Sequence, residues 1–187
     1  MTLMNIYPSF WTNASARRKR IYSIVFIFLI SVLVTALGTL VPLNAQDSRQ
    51  LSDSINQTLN ENRASGTLPQ YIFLNNFEIC LLMFVPIVGA LFGLFTLFST
   101  GVALGAIANV QGYPALLGFA VLLLTPIFWL EFISYSIGIT ESIWLFRRLT
   151  QRRWRELKNL GIFIGICALL LAIGAIVEAW LILAAGA

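Results

Sequence analysis

The chain has 187 residues, 58% of them hydrophobic and only 11% charged, with a net charge of +4 and no histidine. A soluble domain carries about 25% charged residues, so the composition excludes one, and the mean hydropathy of +0.84 indicates an integral membrane protein with room for a single membrane domain. The basic residues stand at the ends of apolar runs, which excludes a nucleic-acid surface, and the lack of histidine removes the commonest metal ligand and general base.

Residues 1–20 place Tyr7, Phe10 and Trp11 ahead of Arg17, Arg18, Lys19 and Arg20. Aromatics before a basic cluster predict a cytoplasmic segment lying on the bilayer surface against anionic lipid. The membrane domain then occupies 21–187. Its first apolar run, 21–41, exceeds the ~7–15 residues of a signal-peptide core and is read as a retained span. Residues 42–70 form the one extended polar stretch. There Leu51, Ile55 and Leu59 recur every fourth residue, predicting a short amphipathic helix that ends at Gly66 to Pro69. Asn56-Gln57-Thr58 is a glycosylation sequon, meaningful only if this loop is external.

The apolar stretch 71–108 is too long for one span and short for two. A turn near Ser99-Thr100-Gly101 and a second at Asn109 to Pro114 divide the region into spans at 71–95, 97–112 and 115–146. The alternative makes 99–114 a pair of short re-entrant helices, tolerated only where buried in protein. A loop at 147–158 precedes the last span, 159–185. Ten of the twelve Lys and Arg lie at 17–20 and 147–158, so the positive-inside rule puts both clusters in the cytoplasm and 42–70 outside. The expected fold is an all-α polytopic transmembrane bundle of about five spanning helices. Its N-terminus lies inside the cell membrane and its C-terminus outside.

The run 122–146 carries two carboxyl groups that a plain anchor would not need. At ~100° per residue, Glu131, Ser134, Tyr135, Gly138, Glu141 and Ser142 share one side. That side must face protein or water, and the opposite Ile, Phe, Leu and Trp side can face lipid. Close packing is signalled by Gly89 with Gly93, by Gly101 with Gly105, and by a longer seam in the last span. This seam comprises Gly161, Gly165, Ala168, Ala172, Ala175 and Ala179. Small residues at such spacing let two helix backbones approach, within the chain or with a second copy. Cys80 and Cys167 lie inside apolar segments and read as buried thiols.

Depth arithmetic at 1.5 Å per residue brings Asn75, Asn76 and Glu78 of the second span, Glu131 of the fourth and Glu178 of the fifth into one outer leaflet. No Lys, Arg or His within the spans neutralises them. Two readings stay open: a hydrogen-bonded network between carboxyl and carboxamide groups that fixes the bundle, or a proton, cation or ligand site opening outwards. Glu141, six residues from Arg147 and close to Trp144, is expected to reach the cytoplasmic surface.

These residues resemble the stage II sporulation protein M-like family. The likeness rests on Phe73-Leu74-Asn75-Asn76, then Gly89, Gly93, Gly101 and Gly105, then Pro126 followed by Glu131 and Gly138. It closes with Ala175-Ile176-Val177-Glu178-Ala179 and covers roughly 15–185. The family's usual His-Gly pair after the proline is replaced here by Ile127-Phe128. The resemblance implies a polytopic protein without a known enzymatic activity. Its namesake in spore-forming bacteria is similar to a scaffold for partners that degrade cell-wall peptidoglycan during engulfment.

The chain offers no GxSxG, HExxH or phosphate loop, so no catalytic, cofactor or metal residue is assigned and no enzyme activity is expected. The expected role is a membrane scaffold or assembly subunit that contacts lipid and other membrane proteins or a second copy of itself. A small transporter or channel using the outer carboxyl groups is the alternative.

Overall fold

A computed structural model describes residues 13–152 and 157–185. Among them are seven α-helices: α1 (Ala16–Thr39), α2 (Ala45–Ala64), α3 (Leu68–Met83), α4 (Val88–Gln111), α5 (Ala115–Leu123), α6 (Pro126–Thr150) and α7 (Leu157–Ala185). The fold is the expected all-α bundle. The surface aromatics Tyr7, Phe10 and Trp11 and part of the 147–158 loop lie outside the described residues.

Local chemistry sets the ends. Asn44 caps α2 by accepting from the Asp47 amide at 2.8 Å, and Gly66 ends that helix at φ 70°, as a left-handed C-cap requires. The amphipathic helix is as expected, with Leu51, Ile55 and Leu59 half-buried and Asn56 and Gln57 exposed. Gly112, at φ 77°, closes α4 ahead of Pro114.

One expected break falls elsewhere, and the other, at Asn109 to Pro114, falls where expected. Ser99-Thr100-Gly101 lies inside α4, because hydroxyls in an apolar helix bond back to their own backbone instead of breaking it. The Thr100 hydroxyl does this, donating to the Thr96 carbonyl at 3.0 Å. The turn comes instead at 84–87, around Pro86. Ile87 adopts φ 63° and ψ −57°, and Val88 N–H donates to the Pro86 carbonyl at 2.7 Å, forming a positive-φ γ-turn that is strained for a β-branched residue.

The predicted helix at 122–146 also divides. Thr125 caps α6 with Pro126 at the first turn, a pairing that starts helices, and α5 meets α6 at a bend of 86°. The short element is therefore 115–123, and residues 99–111 form ordinary helix, not a re-entrant pair.

Helices α1, α4 and Leu160–Ala185 of α7 are long and apolar enough to cross a membrane, and the bent α5–α6 pair makes a fourth candidate. Helix α3 traverses the bundle, but its 16 residues reach only ~24 Å, short of the full span expected for 71–95. At the centre stands α6, every residue of which from Ser134 to Ser142 is buried. The predicted polar stripe is buried as expected. The opposite side is only partly open to lipid, at Trp129, Ile133, Ile143 and Phe146, whereas Ile137, Ile139 and Leu145 are enclosed.

Helices α1 and α4 run side by side and touch backbone to backbone. A Cβ on Gly101 would collide with the Thr35 carbonyl and the Gly38 Cα, and one on Gly38 with the Phe98 carbonyl. On Gly105 it would stand 2.9 Å from the Thr39 carbonyl. Ser31, Thr35 and Thr39 supply the small face of α1, an i, i+4 series whose partner the sequence does not name. Gly93 accommodates Ile139 of α6, whereas Gly89 abuts the Met83 backbone at the turn.

The α7 seam divides. Ala175 and Ala179 pack with Leu68 and Ile72 of α3, and Ala168 and Ala172 are half-buried. Gly161 and Gly165 are exposed, and a Cβ on either would meet no atom within 4 Å among the described residues. Gly101→Leu should therefore destabilise the protein by about 1–3 kcal/mol through overpacking. Gly165→Ala should be neutral or gain up to ~1 kcal/mol of helix propensity. Thermal unfolding of both variants in detergent checks the contrast, and equal losses would refute it.

Candidate functional site

The end of the bundle away from Arg20 and Arg147 contains a cavity of about 290 Å³. Glu131 enters it from the second turn of α6, Asn75 and Asn76 from α3, and Glu178 from α7. Thr96 and Thr100 of α4 line another wall, and Ile55 and Leu59 of α2 form its cover. The polar side of α2 is tied down by Asn109, whose Nδ2 donates to Ser48 Oγ at 2.8 Å and to the Leu43 carbonyl at 3.2 Å.

Within the cavity Asn76 Nδ2 donates to Glu131 Oε1 at 2.6 Å, and Asn75 Nδ2 donates to Asn76 Oδ1 at 3.3 Å. The structure thus brings together Asn75, Asn76, Glu131 and Glu178 from the predicted set. Glu78 does not join them. It is exposed, since two residues along α3 turn it ~200° from Asn76. Tyr135 lies on the predicted stripe yet outside the predicted cluster; it is 6% exposed and lines the cavity one turn below Glu131.

A second polar centre occupies the opposite end. Glu141 does not reach the surface but is 3% exposed. Arg20 of α1 meets it with one hydrogen bond, Nη2 to Oε2 at 2.7 Å, and a close ion-pair contact, Nε to Oε1 at 2.6 Å, that is not aligned as a second hydrogen bond, a charge-assisted pair. The guanidinium also lies 4.6 Å from the centre of the Phe163 ring and 5.9 Å from that of Trp144, within cation–π range. Trp144 Nε1 donates to Ser23 Oγ at 3.3 Å. The sequence signal for this pair is that Arg20 directly precedes the first apolar run; the pairing itself is non-local.

Elsewhere along its length α6 is fastened to its other neighbours. Ser142 Oγ donates to the Val85 carbonyl at 2.5 Å and accepts from the Ala90 amide at 3.2 Å, holding the α3–α4 turn. The thiols of Cys80 and Cys167 both point to the Ser134 carbonyl, at 3.8 and 3.5 Å, and both cysteines are free and buried. Among the described residues no group of three or more Cys, Asp or Glu could hold a metal ion.

Long apolar helices packed around a polar central helix define a multi-pass membrane protein. The family model described as Stage II sporulation protein M matches residues 23–181, and the chain belongs to that family. No curated protein and no solved structure matches the chain significantly.

Breaking a buried ion pair leaves one charge uncompensated and typically costs about 3–5 kcal/mol. Arg20→Gln and Glu141→Gln should each lose stability on that scale, while the double variant should lose clearly less than the sum of the two. A double-mutant cycle of thermal unfolding in detergent measures the coupling, and strict additivity would show that the pair contributes nothing.

Proposed function

We propose that the protein is an integral membrane scaffold or assembly subunit of a multi-protein membrane complex, with no catalytic activity of its own. The observation that carries this reading is the outward face of α7. Its far half is packed against α3, but a Cβ on Gly161 or Gly165 would meet no atom within 4 Å among the described residues. Glycine weakens a helix by about 1 kcal/mol relative to alanine, and in lipid its return is the close approach of another backbone. Nothing among the described residues makes that approach, so the reading assigns it to a helix of a partner protein or of a second copy. Membership of the Stage II sporulation protein M family supports the same role.

In this reading the protein sits in the cell membrane with the Arg20–Glu141 end in the cytoplasm. Arg17, Arg18, Lys19 and Arg20 start α1, and Arg147 and Arg148 end α6. The contacts of Arg20 with Glu141 and of Arg148 with Trp144 put both groups at one end, which the positive-inside rule makes cytoplasmic. The N-terminus is then inside and the C-terminus outside. Purification of the tagged chain from its native membrane in mild detergent should return a stoichiometric partner or a dimer mass. Gly165→Leu should release it without loss of helicity. Recovery of this chain alone at its monomer mass would overturn the scaffold reading.

A second reading is favoured by the Asn76–Glu131 contact inside the cavity shared with Glu178. An ionisable group within a membrane bundle is expensive to keep and commonly marks an ion or substrate site. The protein would then be a small transporter or channel that uses these groups as a proton or cation site. Flux into proteoliposomes should fall at least about tenfold in Glu131→Gln and Glu178→Gln, the scale of one lost charge-assisted contact; unchanged flux in both would sink the reading.

A further inference from the structure

We propose that the cavity covered by α2 binds a small organic ammonium ion, with the cationic nitrogen between Glu131 and Glu178 and the alkyl part beneath Ile55 and Leu59. The inference deepens the second reading above by naming the chemical class its site would take. It concerns equilibrium binding only, so it stands or falls separately from transport.

Size argues first. At ~30 Å³ per water, 290 Å³ is room for about ten waters or a similar number of non-hydrogen atoms. A bare divalent ion needs six or more oxygen ligands within ~2.6 Å, and no group of three or more Cys, Asp or Glu among the described residues could begin such a cage.

Charge and hydrogen-bonding capacity argue next. Two carboxyl groups line the cavity and no Lys or Arg does. Asn76 occupies only Oε1 of Glu131, which leaves Oε2 able to accept. The Thr100 hydroxyl spends its proton on the Thr96 carbonyl and can offer the cavity only lone pairs. A primary ammonium has three donors and no acceptor, the complement of such a wall.

The independent observation is Tyr135. It is 6% exposed and lines the cavity, within electrostatic reach of Glu131 and Glu178. Its hydroxyl nevertheless has no hydrogen-bond partner among the described residues. The residue is buried but its hydroxyl opens onto the cavity, where a ligand nitrogen beside the two glutamates would supply the partner that such tyrosine hydroxyls usually find. The ring, together with Phe132 and Tyr71 of the same lining, offers faces that attract a desolvated cation. The apolar cover and wall (Ile55, Leu59, Ile72, Leu97) suit a hydrocarbon stem.

The test titrates butylammonium chloride into the full chain in nanodiscs, following the melting temperature and the heat of binding, with 1-butanol and potassium chloride as controls. Butylammonium should raise the melting temperature saturably, while neither control does. Glu178→Gln should weaken binding at least about tenfold. Tyr135→Phe, which keeps the ring and removes only the unpartnered hydroxyl, should weaken it about three- to tenfold. If Glu178→Gln does not fold, the Tyr135→Phe comparison decides. The proposal is overturned if butylammonium produces no saturable shift or if 1-butanol matches it. It is equally overturned by a potassium response of the same size, which marks an inorganic-ion site, or by Tyr135→Phe binding with unchanged affinity.

Discussion

A polar group placed in hydrocarbon has no water to turn to, and in this bundle that constraint converges on one helix. Helix α6 carries glutamates, serines, threonines and a tyrosine through the middle of the molecule. Each neighbour is docked by answering one of them. Helix α1 brings Arg20 to Glu141, α3 brings Asn76 to Glu131, and the α3–α4 turn brings Val85 and Ala90 to Ser142. Helix α7 adds Cys167 at the Ser134 carbonyl. Apolar packing alone discriminates weakly between helix faces in lipid, because tails are as apolar as leucine. The polar contacts therefore set the register, and the buried aliphatic contacts fill it.

The same constraint explains the short α3 and its strained exit. With 16 residues, α3 stops before it could reach the basic end of α6, so an irregular turn falls within the bundle's depth. Such backbone is tolerated there only if protein supplies its partners, and Ser142 supplies two. Ile87 holds a conformation that costs about 1–3 kcal/mol for a non-glycine residue. In return, α4 starts where it can run alongside α1, with Gly101 against Gly38 and Thr35. A continuous α3 would carry those glycines past their partners.

Much of this was legible in the sequence. Apolar length and basic flanks give a helical membrane bundle, and counting residues from the boundaries brings Asn76, Glu131 and Glu178 to one depth. Depth is linear in residue number, so it survives errors in rotation; Glu78, lost from the cluster, failed on rotation alone. Breaks were harder to place. Ser-Thr-Gly is a turn signal in water, but in an apolar helix the hydroxyls bond inwards, and the prolines at 86 and 126 carry the real boundaries. Helix-to-helix pairings such as Arg20 with Glu141, or Gly101 with Gly38, have no local signature.

Glu131 and Glu141 stand on one helix only ten residues apart, ~15 Å along its axis, and the fold treats them oppositely. Glu141 meets a cation that contacts both of its oxygens in a closed site stacked with aromatic rings. Its charge is balanced by the guanidinium beside it. Glu131 meets a neutral amide at one oxygen, shares a cavity with a second carboxyl group, and has an unpartnered tyrosine hydroxyl one turn away. A bundle that needed only rigidity could have ended both contacts in the same way. One helix thus carries a carboxyl group neutralised by a cation at the end with the basic clusters and, at the other end, one that faces a cavity, which is where the proposed ammonium ion would bind.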